Sequence, residues 1–536
     1  MAAGAVLALI TAVSGLSAQP LEQRAIFIKL RQPPAGGATE FALTDLGRQL
    51  GATVKTYDRF PGYATVIVPE GDTTQGVLER LRANPAVENA APHLTCRLAY
   101  TPNDPYFRDT DNPDYFDPED PEASVNQYYL YDVEAPGAWD YQRSASYVKV
   151  AIIDSGVSLF HEDLYSNVWT NAGEVPNDGV DNDNNGFIDD YYGWDFVGAD
   201  KGDPTTDDPT NEDNYPGVWD PSWPQPETEE DIENLDSAIG DTLDNNSDGG
   251  ADLGVTHGTM VAGLASAVAD NSMDLAGMGF NAKIMTVRVV NAEGWGWGVD
   301  AADAITYAAD QEADVINLSF SFGRWEDIPP EELPEAILVR DAITYAHDKG
   351  CLIVASAGNS RGSQGYSGGI DFPASMNETI SVGAVDWEGH YSDYSNWALP
   401  GETLDIVAPG DLTWTTSVLD ASTWAVYQLL GYDIPLGTDL IDIPLGGTSF
   451  SAPIVSGYAA LLRASYPELT LDQFREILHA TATDLGPEGY DADYGYGLLN
   501  ARGGIEYIPE PSTFCLMLVG LGAPLLGRWR KRLRRG

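Results

Sequence analysis

The sequence predicts an α/β fold with a mainly parallel sheet covered by helices on both faces. Three observations carry that prediction. Short apolar runs alternate with longer stretches of helical spacing through most of the chain. One such run, Tyr147-Val148-Lys149-Val150-Ala151-Ile152-Ile153, reads as a buried strand that ends at a carboxylate, Asp154, where open α/β sheets place polar groups. Finally, 536 residues with 43% hydrophobic content suffice for one large core plus appendages.

In chain order, residues 1–18 are apolar and end in Leu16-Ser17-Ala18, a small-residue cleavage pattern before Gln19. We expect a signal peptide there, although no basic n-region precedes it. Residues 19–100 read as a small separate α/β unit. Strands are expected at Ala25–Leu30, Ala52–Tyr57 and Tyr63–Val68, and a helix over Thr73–Asn84 carries Val77, Leu78 and Leu81 on one face. Beyond residue 101, strands are expected at 148–153, 283–289, 314–319, 351–356, 379–385 and 404–407. Helices are expected at 299–310, 335–348 and 471–481. Two insertions interrupt the alternation: residues 200–252, with 17 acids against Lys201 alone, and residues 413–445. The chain closes with Ile508-Pro509-Glu510-Pro511, an apolar segment over 512–527, and the basic cluster Arg528–Arg535. A segment that short is marginal for a bilayer crossing, which needs about 20 apolar residues.

Charge excludes one class of partner. Twenty-eight basic and 82 acidic residues give a net charge of −54 and a pI near 4.1. No basic surface in the body of the chain could neutralise phosphates, so nucleic acid is not expected as a partner. The three cysteines, Cys96, Cys351 and Cys515, are too few and scattered for a disulfide framework.

Chemistry concentrates in three segments. Gly446-Gly447-Thr448-Ser449-Phe450-Ser451-Ala452-Pro453 puts a hydroxyl at a glycine-to-helix junction, where free N–H groups face any negative charge forming at Ser449. The two glycines are expected to let the backbone turn tightly, and Pro453 is expected in the first helical turn. Thr256-His257-Gly258-Thr259 places an imidazole at the start of a small-residue helix. With Asp154, the set supplies a nucleophile, a base near neutral pH, and a carboxylate to fix the base's tautomer.

In the order Asp154, His257, Ser449, these segments resemble those of the subtilisin-like serine proteases, the subtilase family. The resemblance covers residues 99–503 and implies a three-layer subtilisin-like fold and hydrolysis of peptide bonds through an acyl-enzyme. It further implies that Ile353-Val354-Ala355-Ser356-Ala357-Gly358-Asn359 presents the oxyanion donor Asn359 beside the Ser449 amide. Val315-Ile316-Asn317-Leu318-Ser319-Phe320-Ser321 resembles the strand that pairs with the substrate peptide. Ser319, Phe320 and Ser321 would then form one wall of the first specificity pocket, and Ala357 and Gly358 the other. Ser321 stands where the family usually has glycine, and Met260 where many relatives carry a second histidine. Residues 19–100 resemble the family's inhibitory propeptide, released by cleavage near residues 98–101, which leaves 101–505 as the catalytic domain. The Pro-Glu-Pro tail over 506–536 resembles the PEP-CTERM sorting signal of Gram-negative bacteria. It implies an exosortase-type processing enzyme, transient membrane association, and delivery to the cell surface or exterior.

A further loop points to a metal. Asp181-Asn182-Asp183-Asn184-Asn185-Gly186-Phe187-Ile188-Asp189-Asp190 alternates oxygen side chains around a glycine, as in loops that wrap calcium. Asp181, Asp183, Asn185 and Asp189 are its expected ligands, but Tyr192 stands where an EF-hand would need glutamate. A second site at Asp241, Asp244, Asp248 and Asp252 is also open. The expected whole is a monomeric, exported, calcium-supported endopeptidase made as a precursor and acting on proteins or peptides. The rival is a catalytically silent calcium-binding surface protein on the same fold.

Overall fold

The computed structural model describes residues 25–31, 45–56, 62–69, 72–92, 102–104, 107, 127–159, 161–176, 178–197, 254–273, 275–291, 294–363, 365–411, 413–417 and 446–507. The expected signal peptide, the tail over 508–536 and most of both insertions lie outside them. The chain divides into two compact units, Met1–Leu98 and Ala99–Gly536.

The described residues of the first unit form a four-stranded antiparallel sheet with helical residues at 45–50 and 74–83. Strands β1 (Ala25–Leu30), β2 (Thr53–Thr56), β3 (Tyr63–Ile67) and β4 (Val87–Pro92) lie in the order β2-β3-β1-β4. Helix α1 (Thr74–Ala83) begins where the Thr73 hydroxyl accepts the Gly76 N–H at 3.1 Å. Its Val77, Leu78 and Leu81 are buried, as their spacing predicts, against Ile26 and Ile28 of the same core. Strand β4 is absent from the sequence-based expectation. Val-Glu-Asn-Ala-Ala-Pro has no alternating pattern, and its pairing to β1 makes it a strand.

The second unit is built on seven parallel strands: β5 (Lys149–Asp154), β6 (Gly193–Asp195), β7 (Lys283–Arg288), β8 (Val315–Leu318), β9 (Leu352–Ser356), β10 (Ile380–Val385) and β11 (Ile406–Pro409). Their order is β11-β10-β9-β8-β5-β7-β6. Every residue of β8, β9 and β10 is buried, so both faces of the sheet are covered. Short helices α2 (Tyr128–Asp132) and α3 (Ala135–Trp139) precede β5. Helices α4 (Gly254–Ser266) and α7 (Thr448–Ser465) pack on each other and on the sheet, while α5 (Gly298–Asp310) and α6 (Leu333–Asp348) form a second pair against it. Helices α8 (Leu471–Thr481) and α9 (Ala501–Tyr507) complete the unit. The α/β architecture with a parallel sheet is therefore as predicted.

Three local expectations change. β11 begins at Ile406 rather than 404, because Asp405 and Ser381 exchange side-chain hydrogen bonds at 2.9–3.1 Å where ladder bonds would otherwise run. β6 and helices α2, α3 and α9 are too short to show a period. Pro453 is the sixth residue of α7, beyond its first turn.

Candidate active site

Asp154 is the last residue of β5 and is almost wholly buried. Its Oδ1 accepts the Ser155 N–H at 2.7 Å and meets His257 Nδ1 at 2.7 Å. A carboxylate only accepts, so Nδ1 of the neutral ring carries the proton and Nε2 keeps its lone pair. Sequence dictates this approach through Gly258. A Cβ there would stand 2.1 Å from the Gly156 carbonyl oxygen, so only glycine lets α4 close on the end of β5. The Gly258 N–H donates to Ser155 Oγ at 3.1 Å and fixes the contact. Burial disfavours the imidazolium, but the Asp154 charge and hydrogen bond outweigh it, and the His257 pKa is raised.

Ser449 is the second residue of α7, partly exposed, with its N-cap at the extended Gly447. Phe450 brings α7 to His257, with ring centroids 5.8 Å apart. The Ser449 hydroxyl donates to the Ser319 carbonyl at 3.0 Å. Below it runs a chain of donors that sequence reasoning missed: Ser456 Oγ to Asn317 Oδ1, Asn317 Nδ2 to Ser319 Oγ, and Ser319 Oγ to the Ser449 carbonyl, at 2.8, 2.9 and 2.8 Å. Pro453 explains the last of these. In a regular helix the N–H of residue 453 would serve the Ser449 carbonyl, and proline has none. An asparagine inside the apolar run Val315-Ile316-Asn317-Leu318 was the available signal.

Asn359 is exposed at the loop after β9. Its Oδ1 accepts both the Thr448 N–H at 2.9 Å and the Thr448 hydroxyl at 2.8 Å. The amide is thereby oriented, leaving Nδ2 as a donor near Gly447, 3.7 Å from where a Cβ would stand. Only Gly446 is sterically required, because a Cβ on Gly447 would meet nothing nearer than 3.6 Å. Gly447 has φ 175°, and a Cβ on Gly446 would strike Asp411 Oδ1 at 2.4 Å.

The two expected walls converge on these groups. Ser319, Phe320 and Ser321 follow β8, with Ser321 exposed and Phe320 set edge-on against Phe322. Ala357 and Gly358 follow β9. Ala357 is tied to Val382 at 2.9 Å and Gly358 donates to Thr448 Oγ1 at 3.3 Å. Met260 is buried in the core.

In the acidic loop the oxygens divide into two sets. Asp181 accepts the Asn185 and Gly186 N–H groups, and Asp189 those of Asp178 and Gly179, so both fold the loop itself. Asn185 Oδ1 likewise accepts Phe187 N–H, while its Nδ2 reaches Asp190 at 2.9 Å. Asp183 also accepts the Asn185 N–H, and Glu174 Oε1 those of Asn182 and Asp183, but these two gather with Asp190, one oxygen of each within 4.8 Å of the others. Glu174 is only 5% exposed, and its Oε2 finds no hydrogen-bond partner among the described residues. Three converging carboxylates with an orphaned buried oxygen suit a hard cation. Glu174 and Asp190 escaped sequence reasoning because neither occupies the alternating frame.

A profile of the subtilase family matches residues 145–497. The chain belongs to the subtilase family. It is thus a serine protease, a hydrolase, as its motifs predict. The subtilase is 28% identical over 461 residues to the thermophilic serine proteinase of Bacillus sp. (strain AK1), covering 86% of this chain and 82% of that one. It is 29% identical to thermitase of Thermoactinomyces vulgaris, covering 76% of this chain and all of that one. It is 27% identical to the halolysin-like extracellular serine protease Nep of Natrialba magadii, covering 84% and 61%. A solved structure of proteases from Pseudoalteromonas arctica shares its fold, with TM-score 0.51 and 23% identity over 76% of this chain and 99% of that one. The PEP-CTERM protein-sorting motif matches residues 508–535 of the subtilase. Among the described residues, no helix is long and apolar enough to cross a membrane.

Proposed function

We propose that this subtilase cleaves peptide bonds through Ser449 as nucleophile, His257 as general base then acid, and Asp154 as the group that orients the imidazole. The observation that carries the reading is the 2.7 Å bond between buried Asp154 and His257 Nδ1, which leaves Nε2 free to act as a base on a ring whose centroid is 5.8 Å from that of Phe450, the residue after Ser449. A substrate strand adding to Ser319–Ser321 offers a backbone N–H to the Ser319 carbonyl, the atom that now holds the Ser449 hydroxyl. Binding thus releases the hydroxyl. Its proton passes to His257 Nε2 as Oγ bonds to the scissile carbon, and the carbonyl oxygen takes the charge facing Asn359 Nδ2 and the Ser449 N–H. The imidazolium returns that proton to the leaving amine as the C–N bond breaks, and water then hydrolyses the acyl-enzyme.

The same reading makes residues 1–18 a signal peptide, 19–100 an inhibitory propeptide and 101–505 the mature enzyme. It makes 506–536 a signal that a sorting enzyme processes at the cell surface. Calcium is held by the loop over 174–190, with Glu174, Asp183 and Asp190 as its carboxylate ligands; when bound it neutralises their mutual repulsion. Ser449→Ala is expected to abolish peptide hydrolysis, labelling by a fluorophosphonate probe and release of the N-terminal unit. Labelling of that variant at the wild-type rate would sink the assignment.

A further inference from the structure

Beneath the proposed specificity pocket lies a carboxylate that the mechanism does not use. Asp371 is 4% exposed and sits in the segment between β9 and β10. Its backbone N–H is bound to the Ala357 carbonyl at 3.1 Å, which fixes it to the wall formed by Ala357 and Gly358. Its Oδ2 accepts the hydroxyl of Ser321, on the opposite and exposed wall, at 3.1 Å. The same oxygen would lie 2.3 Å from a Cβ on Gly358, whose φ is +105°. One carboxylate oxygen therefore touches both walls and lies one hydroxyl below the cleft surface.

Its charge is only partly offset by a protein cation. Arg324 attracts it, but that guanidinium is shared with Glu326 at 3.3 Å and Asp327 at 3.8 Å. The other partners, Ser321 and Asn396, are neutral donors. A buried acid hydrogen-bonded by neutral donors, its nearby cation shared with other acids, gains from a cation that arrives with its own N–H donors.

Resting on the proposed function, we infer that Asp371 is a specificity-determining residue at the base of the first pocket. It selects a lysine or arginine side chain on the acyl side of the scissile bond. The aliphatic stem would run between the walls, and the cationic head would replace or share the Ser321 hydroxyl on Asp371. Ser321, the position that departs from the family's usual glycine, then has a purpose: it gives the carboxylate a donor while the pocket is empty.

The test uses the mature enzyme and chromogenic peptides that differ only in the residue before the scissile bond: lysine, arginine, phenylalanine, leucine or glutamate. The wild type is expected to turn over lysine and arginine substrates with the highest kcat/KM. In Asp371→Asn the lysine-to-phenylalanine ratio should fall by about tenfold or more, a ratio from which general losses of folded enzyme cancel. If that variant does not accumulate, peptide aldehydes ending in arginine or phenylalanine serve on the wild type, where the arginine inhibitor should bind more tightly. A wild type that prefers phenylalanine or leucine, or an unchanged ratio in Asp371→Asn, overturns the inference while leaving the protease reading intact. Failure to hydrolyse any peptide or to react with a fluorophosphonate overturns the reading itself.

Discussion

His257 and Asn359 each respond to a single neighbour, and each makes a distinct prediction. In the proposed mechanism His257 acts as a base only when neutral, and its pKa is raised because, against the opposing effect of burial, the Asp154 charge and hydrogen bond prevail. Raising the pKa moves the point of protonation upward. The acid limb of kcat/KM should therefore fall off at a pH above the ordinary imidazole value of about 6.5. Asp154→Asn should lower that limb and cost most of the activity; a pH–rate profile on one peptide reads both effects. Asn359 is held by Thr448 through two bonds to Oδ1, which leaves only Nδ2 to donate. Asn359→Ala is expected to lower kcat by about 10²–10³ with little change in KM, because the donor serves charge present only in the transition state.

At the scale of elements, the approach of α4 to β5 is decided by one absent side chain. Gly258→Ala would push α4 from the Gly156 carbonyl, cost about 1–3 kcal/mol and lengthen the Asp154–His257 bond. A thermal melt and a kcat measurement on that variant should both drop, and activity should fall further than stability alone explains. Much of this level was legible in the sequence. The strand leading to Asp154, the small-residue helix of His257 and the glycine-to-helix junction at Ser449 each announce themselves locally. The network Ser456–Asn317–Ser319 and the carboxylate of Asp371 do not. Their partners are more than a hundred residues away or in irregular segments, and no periodicity records such meetings. Glu174 and Asp190 were hidden for a related reason. The alternating pattern of Asp181 to Asp189 marks residues that shape the loop as readily as residues that face its centre.

Across the whole molecule, acidity gives the proposed calcium a structural task. With a formal charge of −54, carboxylates gathered at Glu174, Asp183 and Asp190 repel one another unless something neutralises them. Removing calcium with a chelator should lower Tm. The loss should reach about 2.7 kcal/mol relative to free calcium at about 100 times Kd. In Glu174→Gln the chelator should have a much smaller effect, and an unchanged effect would move the cation elsewhere. The seven-stranded sheet has a second, quieter consequence. Asp154 ends β5, inside the sheet between β8 and β7, and His257 follows on α4, but Ser449 rides on α7, which packs across the sheet only after all seven strands have been made. Under the proposed mechanism, a polypeptide still emerging from the ribosome and stopped between His257 and Thr448 owns the acid–base couple and no alcohol for it to deprotonate. The order of the groups along the chain thus keeps every unfinished copy harmless to the cell that is making it.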